Sequence, residues 1–199
     1  LVLNITPAAV VNAGVDAAIC ETGIYTIVGA SVSNAPSGAW TSSGTGAFNG
    51  GGVFGVATTY TPSAADIIAG SVTLTLTSGD PAGECGVKVD NLVLTITPQP
   101  VVSVAGVADT EICSDSGNYP IAGATASNYS TLTWSTAGDG SFIDNTLLNP
   151  TYVPGTADRG AATVTLTLTA GGNGLCGAVP VNLVLNITPA AVVNAGVDA

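Results

Sequence analysis

The sequence predicts an all-β protein: tandem immunoglobulin-like β-sandwich domains in an extended array. Three observations lead there. Residues 1–17, LVLNITPAAVVNAGVDA, recur letter for letter as residues 183–199, and a near copy, LVLTITP, starts at Leu92, so the starts fall 91 residues apart twice. A unit of that length is too long for a solenoid repeat and has the usual size of a sandwich domain. Within each unit apolar residues alternate with threonine at period two, and no useful helical periodicity appears. Each unit also carries the order Cys…Trp…Cys, with Cys20, Trp40 and Cys85 followed by Cys113, Trp134 and Cys176.

The elements follow in order along one unit. Residues 1–7 read as the last strand of a preceding repeat, residues 8–98 as the first Ig-like repeat, 99–189 as the second, and 190–199 as the start of the next. The chain opens in mid-strand, as a window cut from a longer array would. Prolines at the joints, Pro7 and then Pro98 and Pro100, make short stiff linkers, because proline fixes φ and donates no ladder hydrogen bond. Val10 and Val11, and Val101 and Val102, begin a short strand. A strand over 24–28 follows, matched by Tyr119, Ile121 and Ala122. Trp40 and Trp134 occupy the core position of the next strand, before glycine-rich turns. Tyr60 and Tyr152 end another strand, and a proline then introduces a small-residue turn holding one acid, Asp66 or Asp158. That turn reads as one turn of helix whose Asp caps free backbone N–H groups. The clearest strand is VTLTLT, with Val72, Leu74 and Leu76 facing one side and Thr73, Thr75 and Thr77 the other, repeated at Val164, Leu166 and Leu168. The unit closes with Leu92, Leu94 and Ile96 on one face.

Composition narrows the function classes. Lys88 and Arg159 are the only bases against 13 acids, a net charge of −11. Nucleic acid and anionic membrane surfaces both call for a basic footprint that is missing. Histidine is absent, which removes the commonest general base and zinc ligand. Paired catalytic carboxylates would have to converge across a cleft, whereas most acids here sit singly in turns. The chain reads as no enzyme, with no cofactor. The apolar residues never run to a membrane-spanning length, and no signal peptide is visible.

The cysteines are the one chemically distinctive set. One pair per repeat, in a chain with neither CxxC spacing nor histidine, points to disulfides within each repeat and an oxidising, extracellular setting. The expected bridges are Cys20 with Cys85 and Cys113 with Cys176. Each would clasp one end of its domain around a loop of some 65 residues, a constraint of roughly 4 kcal/mol in the chain-entropy model. Calcium is the candidate ion, with Asp16, Asp90, Asn91 and Asp109 toward domain ends and Asp66 and Asp158 in matching turns. A calcium site needs six to eight oxygens, and no DxDxDG cluster is present, so turn capping explains these acids more simply. The threonine rows read as the wet faces of strands. The sequons at Asn4, Asn128 and Asn186 carry little weight.

NAGVDAAIC, GASVSNAPSGAWTSSGTGAF, TYTPSAADIIAGSVTLTLTSGDPAGECG and LVLTITP together resemble the tandem Ig-like/PKD-like repeats of giant Bacteroidota cell-surface adhesins. The resemblance covers essentially the whole 91-residue unit, twice. It implies type IX secretion, an extracellular location associated with the bacterial outer membrane, and a filamentous adhesin or stalk of the kind that gliding cells carry. The expected function is therefore a structural stalk segment in cell adhesion. Its partners would be identical repeats of the same chain, lateral copies in a filament, and the cell surface through other regions. Two alternatives stand beside it: the repeats are themselves adhesive modules gaining strength by multivalency, or they are subunits of a pilus-like polymer.

Overall fold

The structure is a computed structural model that describes residues 2, 5–81, 85–193 and 196. The strand expected at 1–7 and the repeat start expected at 190–199 lie partly outside the described residues. The chain forms two compact units, one of Leu1–Gln99 with Gly174–Cys176, the other of Pro100–Asn173 with Gly177–Ala199.

The first unit holds β1 (Val10–Asn12), β2 (Ala17–Cys20), β3 (Tyr25–Thr26), β4 (Ser31–Ser33), β5 (Gly38–Ser42), β6 (Ala47–Phe48), β7 (Thr59–Thr61), helix α1 (Ala64–Ala69), β8 (Ser71–Ser78) and β9 (Val89–Thr97). One sheet runs β2-β9-β8-β5. On the other side β1 pairs with β4, and β3 pairs with β7, which pairs with β6. Residues 24–28, expected as one strand, are paired over only Tyr25–Thr26. The chain kinks at Gly29, whose φ of +75° an L side chain rarely adopts, and resumes pairing at Ser31. With β3 and β4 taken as one broken strand B, one sheet has the order A-B-E-D and the other C-F-G with β2 added beside G, an immunoglobulin-like sandwich with one extra edge strand. The fold is an all-β, Ig-like sandwich.

The second unit repeats this plan with β10 (Val101–Ser103), β11 (Glu111–Cys113), β12 (Tyr119–Pro120), β13 (Thr125–Ser127), β14 (Leu132–Thr136), β15 (Ser141–Phe142), β16 (Thr151–Val153), helix α2 (Thr156–Gly160), β17 (Thr163–Ala170) and β18 (Val179–Thr188). Its large sheet is β11-β18-β17-β14.

Period-two alternation places the core. Successive strand side chains point to opposite faces, so Val72, Leu74 and Leu76 are buried while the threonines between them are half-buried. The β8–β9 register sets Leu74 opposite Leu92 and Val72 opposite Leu94, and β5 sets Trp40 opposite Leu76. Phe48 links Trp40 to Tyr60, with ring centroids 6.0 and 4.9 Å apart, and Phe142 links Trp134 to Tyr152 at 5.7 and 5.0 Å. Both Trp rings are buried, as the core assignment requires.

The strand the sequence does not announce is β2. It pairs with β9 in parallel, Ala17 with Leu94 through Cys20 with Thr97, and β11 pairs likewise with β18, Cys113 falling opposite Thr188. This short strand decides where the first cysteine of each repeat sits.

Leu74 and Leu166 are fully buried in the two cores. Truncating either to alanine should lower the unfolding free energy by about 2–5 kcal/mol. Thr75→Ala, on the opposite face of the same strand, should cost under about 1 kcal/mol. Urea denaturation followed by tryptophan fluorescence checks both.

Candidate functional site

Four cysteines and two buried carboxylates make up the chemistry of this chain. Cys20 ends β2 beside Thr97, where the next amide, Glu21 N–H, also bonds the Thr97 carbonyl at 2.9 Å. Cys113 ends β11 in the same way, with Ser114 N–H on the Thr188 carbonyl at 2.8 Å. Cys85 and Cys176 lie in the connections that lead into β9 and β18.

The bridge that forms is Cys20–Cys176, with a Cα–Cα distance of 4.9 Å and a sequence separation of 156, while Cys85 and Cys113 remain thiols. This corrects the expected pairing within each repeat, Cys20 with Cys85 and Cys113 with Cys176. The reason is the parallel β2–β9 pairing. Cys20 is level with the last residue of β9, whereas Cys85 precedes the first. A strand rises roughly 3.3 Å per residue, so the nine residues of β9 hold the two ends of that strand far apart. A disulfide needs Cα atoms within about 7 Å. The ten residues of β18 separate Cys113 from Cys176 by the same logic. Cys176 instead sits against the end of β9, its Sγ 3.3 Å from the Thr97 carbonyl oxygen and the residue only 4% exposed.

The second feature is a carboxylate latch in each repeat. Asp66 is 3% exposed and lies in the first turn of α1. Its Oδ2 accepts hydrogen bonds from Tyr60 OH at 2.7 Å, Gly46 N–H at 2.9 Å and Ser63 N–H at 3.0 Å, and its Oδ1 accepts from Thr45 N–H at 3.0 Å. Tyr60 OH in turn meets Ser42 Oγ at 3.0 Å. One side chain thus ties together the end of β5, the turn after it, β7 and the helix. The turn must approach closely, and a Cβ on Gly44 would collide with the carboxylate. The second repeat builds the same latch around Asp158, which accepts from Tyr152 OH, from Gly155 N–H at 3.0 Å and from Asp139 N–H at 3.2 Å.

The repeats differ in how they cap the helix. In the first, Ser63 Oγ caps Asp66 N–H at 3.2 Å, and Thr45 Oγ1 meets Ser63 Oγ at 2.7 Å. In the second, Gly155 stands where Ser63 would and has no side chain to offer. Asp139, standing where Thr45 would, reaches across and accepts from Ala157 N–H at 2.9 Å and Asp158 N–H at 3.0 Å. A Cβ on Gly155 would strike that carboxylate. Serine with threonine and glycine with aspartate are two solutions of one capping problem.

Burial alone would push the Asp66 carboxyl up, but the bonds from Ser63, Tyr60, Thr45 and Gly46 outweigh it and hold the group below its ordinary 3.8. The amides of Ala157 and Asp158 lower Asp139 likewise. Burial raises Tyr60, and it pushes Tyr152, with help from Asp158, up to about 12. Every donor around these carboxylates comes from the fold itself, so the latch is a structural device.

The calcium candidates go elsewhere. Asp90 Oδ2 accepts from Ala13 N–H at 2.8 Å and Asp16 Oδ1 from Val93 N–H at 2.8 Å, both tying the β1–β2 link to β9. Asn91 lies in β9, and Asp109 takes a left-handed φ of 55° in the loop before β11. Among the described residues no three His, Cys, Asp or Glu side chains gather as a metal site, and no helix is long and apolar enough to cross a membrane.

No family model and no curated protein matches the sequence. Among solved structures the chain is similar to Sidekick-1 immunoglobulin domains 1–4, with 13% identity, TM-score 0.47, and 91% of this chain and 49% of that chain covered. It is similar to protocadherin gamma B2 extracellular cadherin domains 3–6, with 13% identity, TM-score 0.49, and 92% and 47% covered. Titin domains I67–I69 give 12% identity, TM-score 0.45, and 88% and 63% covered. The chain spans about half the length of the first two. The strand order described above, not these likenesses, makes the fold Ig-like.

Two predictions follow from the latch. Gly155→Ser alone and Asp139→Thr alone should each destabilise the second repeat, by about 1 kcal/mol for the lost cap in the latter. Combined, they should recover most of the loss, a coupling readable in a double-mutant cycle of urea midpoints. The pH dependence has two limbs. Because the folded Asp66 value lies below 3.8, its contribution is full above the unfolded value and is lost as pH falls through the folded one. Because Tyr152 is raised from 10.0 to about 12, its contribution is full below pH 10 and is lost as pH climbs through the folded value. Asp66→Asn should flatten the acid limb of stability measured from pH 2 to 7, and Tyr152→Phe the alkaline limb.

Proposed function

We propose that this chain is a tension-carrying segment of an extracellular stalk, built from Ig-like repeats in covalent series. The repeats are taken as 8–98 and 99–189, and the stalk as part of a large bacterial surface adhesin associated with the outer membrane. The observation that carries the proposal is the Cys20–Cys176 bond, which joins a cysteine of the first repeat to a cysteine of the second across 156 positions. A force applied to the two chain ends travels through the backbone to Cys20, across the S–S bond and onward from Cys176. Everything from residue 21 to 175 lies in a closed loop that this force does not stretch. A bridge inside one repeat would protect that repeat alone; this one shields most of both.

The remaining features fit the same use. Disulfides persist in oxidising, extracellular compartments. Two bases in the whole chain leave trypsin-like proteases almost no cleavage site. The motif resemblance supports the bacterial cell surface, and neighbouring repeats of the same chain are the partners this reading requires. In the chain-entropy model a loop of this length also removes about 5 kcal/mol of unfolded-state freedom.

Single-molecule pulling of the chain by its ends tests the reading. Without reductant, no domain-sized extension should appear up to the rupture force of the attachment. With reductant, two steps should appear, each releasing about 300 Å, the contour of some 90 residues at roughly 3.4 Å each. Domain-sized steps that ignore the reductant would sink the stalk reading. Retention of chain-coated beads on glycan-coated surfaces would favour adhesive repeats instead.

A further inference from the structure

Cys85 and Cys113 are thiols, yet each occupies the position of a bridged cysteine in the other repeat. Cys113 ends β11 opposite Thr188 as Cys20 ends β2 opposite Thr97. Cys85 stands in the connection before β9 as Cys176 stands before β18. The environment is repeated as well as the position. The Cys85 thiol donates to the Thr6 carbonyl at 3.4 Å, and Cys176 Sγ lies 3.3 Å from the Thr97 carbonyl. Thr6 closes LVLNIT as Thr97 closes LVLTIT. Since a first-type cysteine pairs with the strand that ends in this threonine, the thiol of Cys85 already rests where such a cysteine would arrive.

We propose that Cys85 and Cys113 are complementary halves of further staples of the same kind, each made for another copy of this repeat. Cys85 takes a cysteine equivalent to Cys20 or Cys113 from the copy before it, and Cys113 takes one equivalent to Cys85 or Cys176 from the copy after it. The proposal rests on the array reading of the function. Its product is a ladder in which every repeat is bonded to both neighbours. The staples overlap, so the shortest covalent path crosses two repeats through one S–S bond and the short stretch from a second cysteine to the next first cysteine, here Cys85 to Cys113.

Each staple forms by thiol–disulfide exchange with a small disulfide oxidant. One thiolate attacks the oxidant and releases its first half as a thiol. The second thiolate then attacks the mixed disulfide, forming the protein S–S bond and releasing the other half. Two protein thiols become one disulfide, and the oxidant leaves as two thiols carrying the electron pair and both protons.

The test joins two copies of the chain through their identical 17-residue ends, refolds the product in oxidised and reduced glutathione, and counts thiols in denaturant. The single chain should show two thiols, alkylated at Cys85 and Cys113. The doubled chain has twice the cysteines and should still show two, with unreduced peptic peptides linking Cys113 of the first copy to Cys85 of the second. Cys113→Ser in the first copy should raise the count to three. Four thiols in the doubled chain, a Cys85–Cys113 pair within one copy, or Cys20–Cys85 peptides would each overturn the proposal. A ladder that forms in a chain that still extends under force would sink the stalk reading and leave this one standing.

Discussion

The structure depends on a four-residue strand. β2 pairs in parallel with the last four residues of the sheet's longest strand, Cys20 level with Thr97. Parallel pairing sends Cys20 to the end of β9, where the chain leaves the repeat. From that one choice follow the absence of a Cys20–Cys85 bridge and the pairing of Cys20 with Cys176. The pairing recurs in β11 and β18 with Cys113 opposite Thr188, so it is a property of the unit.

Inside each repeat the corresponding task falls to a carboxylate. Asp66 and Asp158 sit where an Ig-like sandwich turns from one sheet to the other, and each collects donors from the helix, the tyrosine of the preceding strand and the turn after the Trp strand. A buried charge is tolerated only when its hydrogen bonds are complete. Here the completing groups are mostly backbone amides, which substitution cannot remove. That explains how the surrounding side chains have drifted from Thr45 and Ser63 to Asp139 and Gly155 while the latch itself is unchanged.

Much of this was legible in the sequence, for identifiable reasons. VTLTLT and LVLTIT declare their buried faces through strict alternation, and Trp40, Trp134 and the Asp of the helical turn fall where they were expected. The broken strand B was hidden because β3 and β4 are two and three residues long, too short for periodicity to register. β2, AAIC, carries no alternation to distinguish an edge strand from a linker, and parallel pairing with a strand some 75 residues on leaves no local trace. The cysteine pairing was beyond reach for a different reason. Four cysteines allow three connectivities, and one pair per repeat suggests closure within the repeat unless the position of β2 is known. Phe48 and Phe142, which bridge Trp to Tyr in each core, lay among glycines that read as turn.

The two kinds of tie divide the labour between them. The apolar core and the buried carboxylate hold each sandwich together without any covalent help, since neither repeat contains a disulfide closed on itself. On the proposed stalk reading, reduction bears first on how far the chain can be drawn out, and acid or alkali, through Asp66 and Tyr152, bears first on whether a sandwich stays folded. In a protein whose cysteines clasped each domain internally, both insults would strike the same structure. Here they are separable, because β2 runs parallel to β9 and sets Cys20 level with Thr97, away from Cys85.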